Sequence, residues 1–187
     1  MKKGIIMCLT ALSLLAFVGC NKDENNANNV TNNVNNGGNA VPEGWVDLGL
    51  PSGLLWAKCN VGADAPEEYG DPVREENVIY WYDDHGYGRC PTKEEWEELL
   101  NNTTIDWTIR NGVRGFRFTA DNNNSIFLPF EQGYYDHYNY YWSSSHVNND
   151  ENDWYYVLAL NSISPQSVYI SISEYVFFPI RAVRSAR

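Results

Sequence analysis

The side chains in this 187-residue chain that could do chemistry are few and scattered. His85, His137 and His146 lack the close spacing of a helical or hairpin metal site. Ser143-Ser144-Ser145 has no glycine-flanked elbow of the hydrolase kind and reads as a structural strand end. Asn148-Asn149-Asp150-Glu151-Asn152-Asp153 is the only dense run of hard oxygen donors in the later part of the chain, the donor type that calcium takes. A solvated turn is the favoured reading of it. No nucleophile stands with a base beside it, so no catalytic residue, resident cofactor or metal site is assigned, and the expectation is a protein that is not an enzyme.

Aromatic residues are the richer signal. Seven of the thirteen tyrosines fall between Tyr134 and Tyr156, joined by Trp142 and Trp154. A strand alternates its faces, so about half of them are expected to point outward. Tyrosines interleaved with Asn, Ser and Asp make rigid amphipathic area with adaptable hydrogen bonding, the chemistry of a paratope. The expected ligand-binding residues are therefore Tyr135, Tyr138, Tyr140, His146, Asn148 and Asp150, with Trp154 and Tyr156 on the next strand. Gln166, Tyr169, Tyr175 and Phe177 continue the same kind of surface.

Several elements must hold these residues in place. Trp45 to Leu50 and Leu54 to Ala57, with Pro51-Ser52-Gly53 between them, predict a hairpin. A short helix is an option around Ala65 to Tyr69. A clearer helix begins after Thr92, where Thr92 and Glu95 form a capping box and Trp96, Leu99 and Leu100 share one face; Asn101 and Asn102 end it. Gly115 to Thr119 and Ser125 to Leu128 flank polar turn residues and predict a second hairpin. Tyr140 to Ser143, Trp154 to Leu160, Ser167 to Ile172 and Pro179 to Arg184 read as further strands. Strands, one or two helices and then more strands make an α+β domain.

The N-terminus points to export. Lys2 and Lys3 precede an apolar run from Ile5 to Val18 that is short for a membrane span and placed like a signal peptide, residues 1–19. Residues 20–41 form an Asn-rich stretch with too little apolar surface to fold, hence a tether. Residues 42–187 are long enough to bury a core as one domain. Loss of Lys2 and Lys3 with the leader takes the formal charge from −11 to −13, which disfavours nucleic acid and anionic headgroups as partners. Cys59 and Cys90 remain in an oxidising setting, where they either form a disulfide or stay as two buried thiols.

Phe17-Val18-Gly19-Cys20 resembles the lipobox of bacterial lipoproteins, which implies lipidation at Cys20 and membrane attachment through that anchor. Lys22-Asp23-Glu24 resembles the acidic signal that sends Bacteroidetes lipoproteins to the outer face of the outer membrane, and so implies exposure on the cell surface. Within the domain, seven blocks resemble, in order, those of the Fibrobacter succinogenes major paralogous domain family: Trp45-Val46-Asp47-Leu48-Gly49-Leu50-Pro51-Ser52-Gly53, Trp56-Ala57, Cys59-Asn60-Val61-Gly62-Ala63, Pro91-Thr92-Lys93-Glu94-Glu95-Trp96, Ser125-Ile126-Phe127-Leu128-Pro129, Tyr141-Trp142-Ser143-Ser144-Ser145 and Arg181-Ala182-Val183-Arg184. The resemblance implies a C-type-lectin-like fold in which the first and last strands pair and long irregular loops face the ligand. The segment between Asp71 and Gly88 is shorter than that family's usual pattern. The residues from Tyr134 to Phe178 also resemble the variable proteins of diversity-generating retroelements. Sugar-binding C-type lectins hold calcium with triplets that this chain lacks, and formylglycine-generating relatives need a late cysteine pair that it also lacks. The expected function is a surface lipoprotein that binds a protein or glycan ligand. An accessory or tip subunit of a surface filament is the alternative, and a relative of the formylglycine-generating enzymes comes third.

Overall fold

The computed structural model describes residues 40–78, 88–131, 138–149, 152–162, 167–171 and 176–186, with backbone alone at 75, 76, 148, 149, 152, 153 and 169–171. Near the start, β1 (Trp45–Asp47) and β2 (Leu54–Ala57) form the expected antiparallel hairpin. The last strand, β11 (Val183–Ser185), pairs with β2, so β2 lies between the two ends of the domain. The expectation that first and last strands pair directly is thus corrected by one strand. Gly88 permits a further chain crossing there: at φ +94°, a Cβ on it would lie 2.4 Å from the Val183 carbonyl oxygen. Arg89 and Val183 exchange backbone hydrogen bonds of 2.8 and 2.9 Å beside it.

Helix α2 (Lys93–Asn101) starts as its sequence demands. Thr92 accepts from the Glu95 N–H and Glu95 accepts from the Thr92 N–H, so two otherwise orphaned donors are satisfied. Arg89 grips the same Glu95 carboxylate with two nitrogens. Trp96 and Leu99 are buried, and the Trp96 indole N–H donates to the Trp142 carbonyl at 3.0 Å, tying the helix to the sheet behind it. The other helix, α1 (Glu75–Val78), is a single turn that follows the two-residue strand β3 (Val73–Arg74). No helix forms over Ala65 to Tyr69; that stretch is turn and irregular chain.

Two more antiparallel sheets complete the domain. The first has the order β4 (Thr103–Arg110), β5 (Val113–Ala120), β6 (Ser125–Pro129), and the second has the order β7 (Tyr138–Asn149), β8 (Asn152–Asn161), β9 (Ser167–Ser171). The strand expected over Pro179 to Arg184 is divided. β10 (Phe177–Phe178) pairs with β3, and the chain is irregular from 179 to 182 before β11.

Sheet β7-β8-β9 separates two hydrophobic clusters. Tyr141, Leu158 and Leu160 face Trp56, Trp96, Leu99, Phe116, Phe118 and Leu128. On the other side, Trp142, Tyr155 and Val157 meet Val78, Cys90, Phe178 and Ile180. Alternate residues therefore serve opposite cores, and most of the aromatic residues here are structural.

For Cys90 the sequence leaves a disulfide and a buried thiol open, and the structure shows the thiol. It is a free, buried thiol that donates to the Trp142 carbonyl at 3.3 Å. The second core encloses the Cys90 sulfur and aims it at β7, so the Cys59–Cys90 bridge is not formed. Burial raises the thiol's pKa, which keeps it neutral and unreactive.

Arg181 is fully buried and joins the segments around β2, β6 and β11. Its guanidinium donates to the Asn60 amide oxygen at 2.9 Å, to the carbonyls of Ala57 and Lys58, and to the Phe127 carbonyl at 2.8 Å. A guanidinium alone has enough donors in a rigid fork to meet all of these acceptors.

Candidate functional site

The beginning of β7 is the part of the expected site that the fold assembles most completely. Asn139 and Tyr141 turn inward, so strand alternation turns Tyr138 and Tyr140 to the opposite face. The inward pair is locked. Asn139 donates to the Pro129 carbonyl at 2.7 Å and accepts from the Tyr69 hydroxyl at 2.9 Å, while the Tyr141 hydroxyl donates to the same Pro129 carbonyl at 2.9 Å. Burial pushes the Tyr141 phenol up to about 12 and raises Tyr69 further, so both remain neutral donors at ordinary pH.

On the outward face the rings of Tyr138 and Tyr140 are parallel, 4° apart in plane with centroids 6.0 Å apart. Tyr138 is exposed, at 39%, while Tyr140 is half-buried against Phe178 at 5.1 Å. The result is a flat aromatic step whose inner ring is braced by the second core and whose outer ring meets solvent. Such a step offers apolar faces together with hydroxyl edges, which suits stacking plus hydrogen bonding.

Other expected residues lie elsewhere. β7 and β8 lose register between Trp142 and His146, with two extra residues on β7. His146 is on the Tyr140 side by parity but farther along the strand: its β8 partner Tyr155 is four residues from Ala159, the partner of Tyr140, a run of about 13 Å at ordinary strand rise; it is exposed and its ring approaches Tyr155 at 5.7 Å. Trp154 and Tyr156 occupy the opposite face, toward α2, where the Lys93 ammonium lies 4.9 Å from the Tyr156 ring centroid. Both are half-buried, and the Trp154 indole N–H is enclosed without an acceptor among the described residues. Phe177 is 53% exposed on the outer side of the β3–β10 ribbon, beneath the Arg74 guanidinium at 5.5 Å.

For Asn148 and Tyr169 only backbone positions are described: Asn148 pairs with Asp153, and Tyr169 with Val157. Tyr135, Asp150, Gln166, Tyr175 and the lipidation residue Cys20 lie outside the described residues. The run of oxygen donors from Asn148 to Asp153 falls there too, or among residues described by backbone alone. Among the described residues no three His, Cys, Asp or Glu side chains gather as a metal-holding group, and no helix is long and apolar enough to cross a membrane.

The single surface expected from the sequence is thus divided into a Tyr138–Tyr140 step, a Trp154–Tyr156 pair on the other face, and an outlying Phe177. Sequence reasoning also missed an apolar feature: Trp107 and Ile109 on β4 are 41% and 64% exposed. The alternation Ile105, Trp107, Ile109 running into Asn111-Gly112 was the available signal. Comparison of the chain with protein-family models, with curated proteins and with solved structures gives no match.

Proposed function

We propose that this chain is a lipid-anchored surface lipoprotein whose domain, C-type-lectin-like in type, binds a protein or glycan partner on the aromatic step of Tyr138 and Tyr140. The observation that carries the reading is that parallel pair of rings, braced by Phe178 and held outward by the buried Asn139 between them. A pyranose ring or a flat peptide side chain stacks on such a face while the phenol hydroxyls supply hydrogen bonds. The lipobox-like residues ending at Cys20 and the Asn-rich segment after them support a tethered, outward-facing arrangement. The reading involves no reaction and no cofactor.

The test is an unbiased screen of the chain on a glycan array, together with pull-down from host and neighbouring bacterial extracts. A bound glycan or protein that is lost when Tyr138 is replaced by Ala supports the proposal. Binding that ignores this residue rejects the step as the contact surface.

A further inference from the structure

Strand β4 is the edge of its sheet, and its outer side is unused by the described chain. The Arg114 carbonyl accepts from the Phe130 N–H at 2.8 Å and the Ala120 N–H donates to the Asn124 carbonyl at 3.0 Å, so the even-numbered residues of β5 bond toward β6. The odd-numbered residues of β5 then bond toward β4. Register commits Thr104, Asp106, Thr108 and Arg110 to those bonds and turns the amide groups of Ile105, Trp107 and Ile109 outward. Among the described residues nothing bonds to those outward groups. Trp107 and Ile109 add exposed apolar side chains to the same edge, with Trp107 resting on Phe116 and Phe130 at 4.8 and 5.2 Å.

We propose that this edge pairs with the same edge of a second copy of the chain, antiparallel, about a two-fold axis at Thr108. In that register Trp107 faces Ile109 of the second copy and Asp106 faces its Arg110, each contact occurring twice. The parity fits. Trp107 and Ile109 point their amides outward and so become the hydrogen-bonded pairs, leaving Thr108 opposite Thr108 as the close, non-bonded pair with Cα atoms about 4.5 Å apart. Moving the axis to Asp106 sets two carboxylates face to face, and moving it to Trp107 loses the Asp106–Arg110 pairs; the charges therefore select Thr108. Glu67 beside Arg110 and Asp106 beside Arg117 keep this edge nearly balanced, whereas the chain as a whole carries −11 and repels a second copy elsewhere. One strand pair buries less than the roughly 1,200 Å² of a standard stable interface, so the association is weak and depends on concentration.

Covalent trapping tests it. Thr108→Cys is nearly isosteric, and its symmetry-related sulfurs fall within disulfide reach. Expressed as the full chain in its native membrane and run without reductant, this variant is expected to give a disulfide-linked homodimer by mass. It should exceed Thr104→Cys, a control displaced from the axis, by about tenfold. Adding Asp106→Arg should reduce the dimer and adding Arg110→Asp to that should restore it, a rescue that mere stickiness does not give. Thr108→Cys cross-linking no better than Thr104→Cys, a charge reversal without rescue, or a product containing a different protein would each overturn the proposal.

Discussion

Arg181 shows how one residue can hold together parts of the chain that are far apart in sequence. Its guanidinium serves the carbonyls of Ala57, Lys58 and Phe127 and the amide of Asn60, and removing it leaves those acceptors buried and unpaired. Each orphaned acceptor costs about 1–3 kcal/mol. Arg181→Met is therefore expected to lose about 3 kcal/mol or more of unfolding free energy in a urea titration, with Arg181→Lys recovering little because an ammonium cannot span the same acceptors. A loss below about 1 kcal/mol would show that the network is dispensable.

The same buried groups set the alkaline behaviour. Tyrosine ordinarily ionises near pH 10, but burial holds Tyr141 up to about 12 and Tyr69 beyond it. From pH 10 upward the folded chain keeps protons that the unfolded chain releases, so stability falls as pH rises. Cys90, also raised, begins the same trend from its ordinary range near 8.5–9. Arg181 opposes it, because burial lowers its pKa to about 10 and the folded chain then holds fewer protons than the unfolded one. One opposing group against three leaves a net fall. The urea midpoint is expected to drop between pH 9 and 11, and less so in Tyr69→Phe; a midpoint that holds or rises would contradict this assignment.

At the scale of elements, local signals were readable where the stabilising contacts are themselves local. The capping box at Thr92 and Glu95 marks the start of α2, and Thr92→Ala is expected to cost about 1 kcal/mol, measurable by thermal unfolding. The β1–β2 and β5–β6 hairpins follow from their turn residues. β4 is equally local, since Asn111 and Gly112 take positive φ of 45° and 84° in a two-residue turn, but its Thr, Ile and Trp residues follow directly on the helix end, which masks the strand pattern. The pairing of β11 with β2 and of β10 with β3 has no local signature, because each depends on segments more than a hundred residues apart. For the site, alternation in β7 was legible. The register shift between Trp142 and His146 was not, and neither was the burial of both sheet faces, which consumes Tyr141, Trp142 and Tyr155 in the two cores.

For the whole molecule, the two-sided core decides where aromatic residues meet solvent. A sheet packed on both faces can show its aromatic residues only at its ends, and Tyr138 with Tyr140 is the end where rings align and Tyr138 reaches solvent. The β4 edge and the Tyr138 step lie on different sheets. Under the proposed tethering and binding, weak pairing of two copies would add avidity without new contacts.

The most direct test of the binding account is a side-by-side array and pull-down comparison of the unaltered chain, Tyr138→Ala and Trp154→Ala, with folding checked by circular dichroism. Loss of the bound signal by about tenfold or more in Tyr138→Ala, with Trp154→Ala close to the unaltered chain, is the predicted result. Retained binding in a folded Tyr138→Ala, or loss confined to Trp154→Ala, would contradict it and move the site to the opposite face of the sheet.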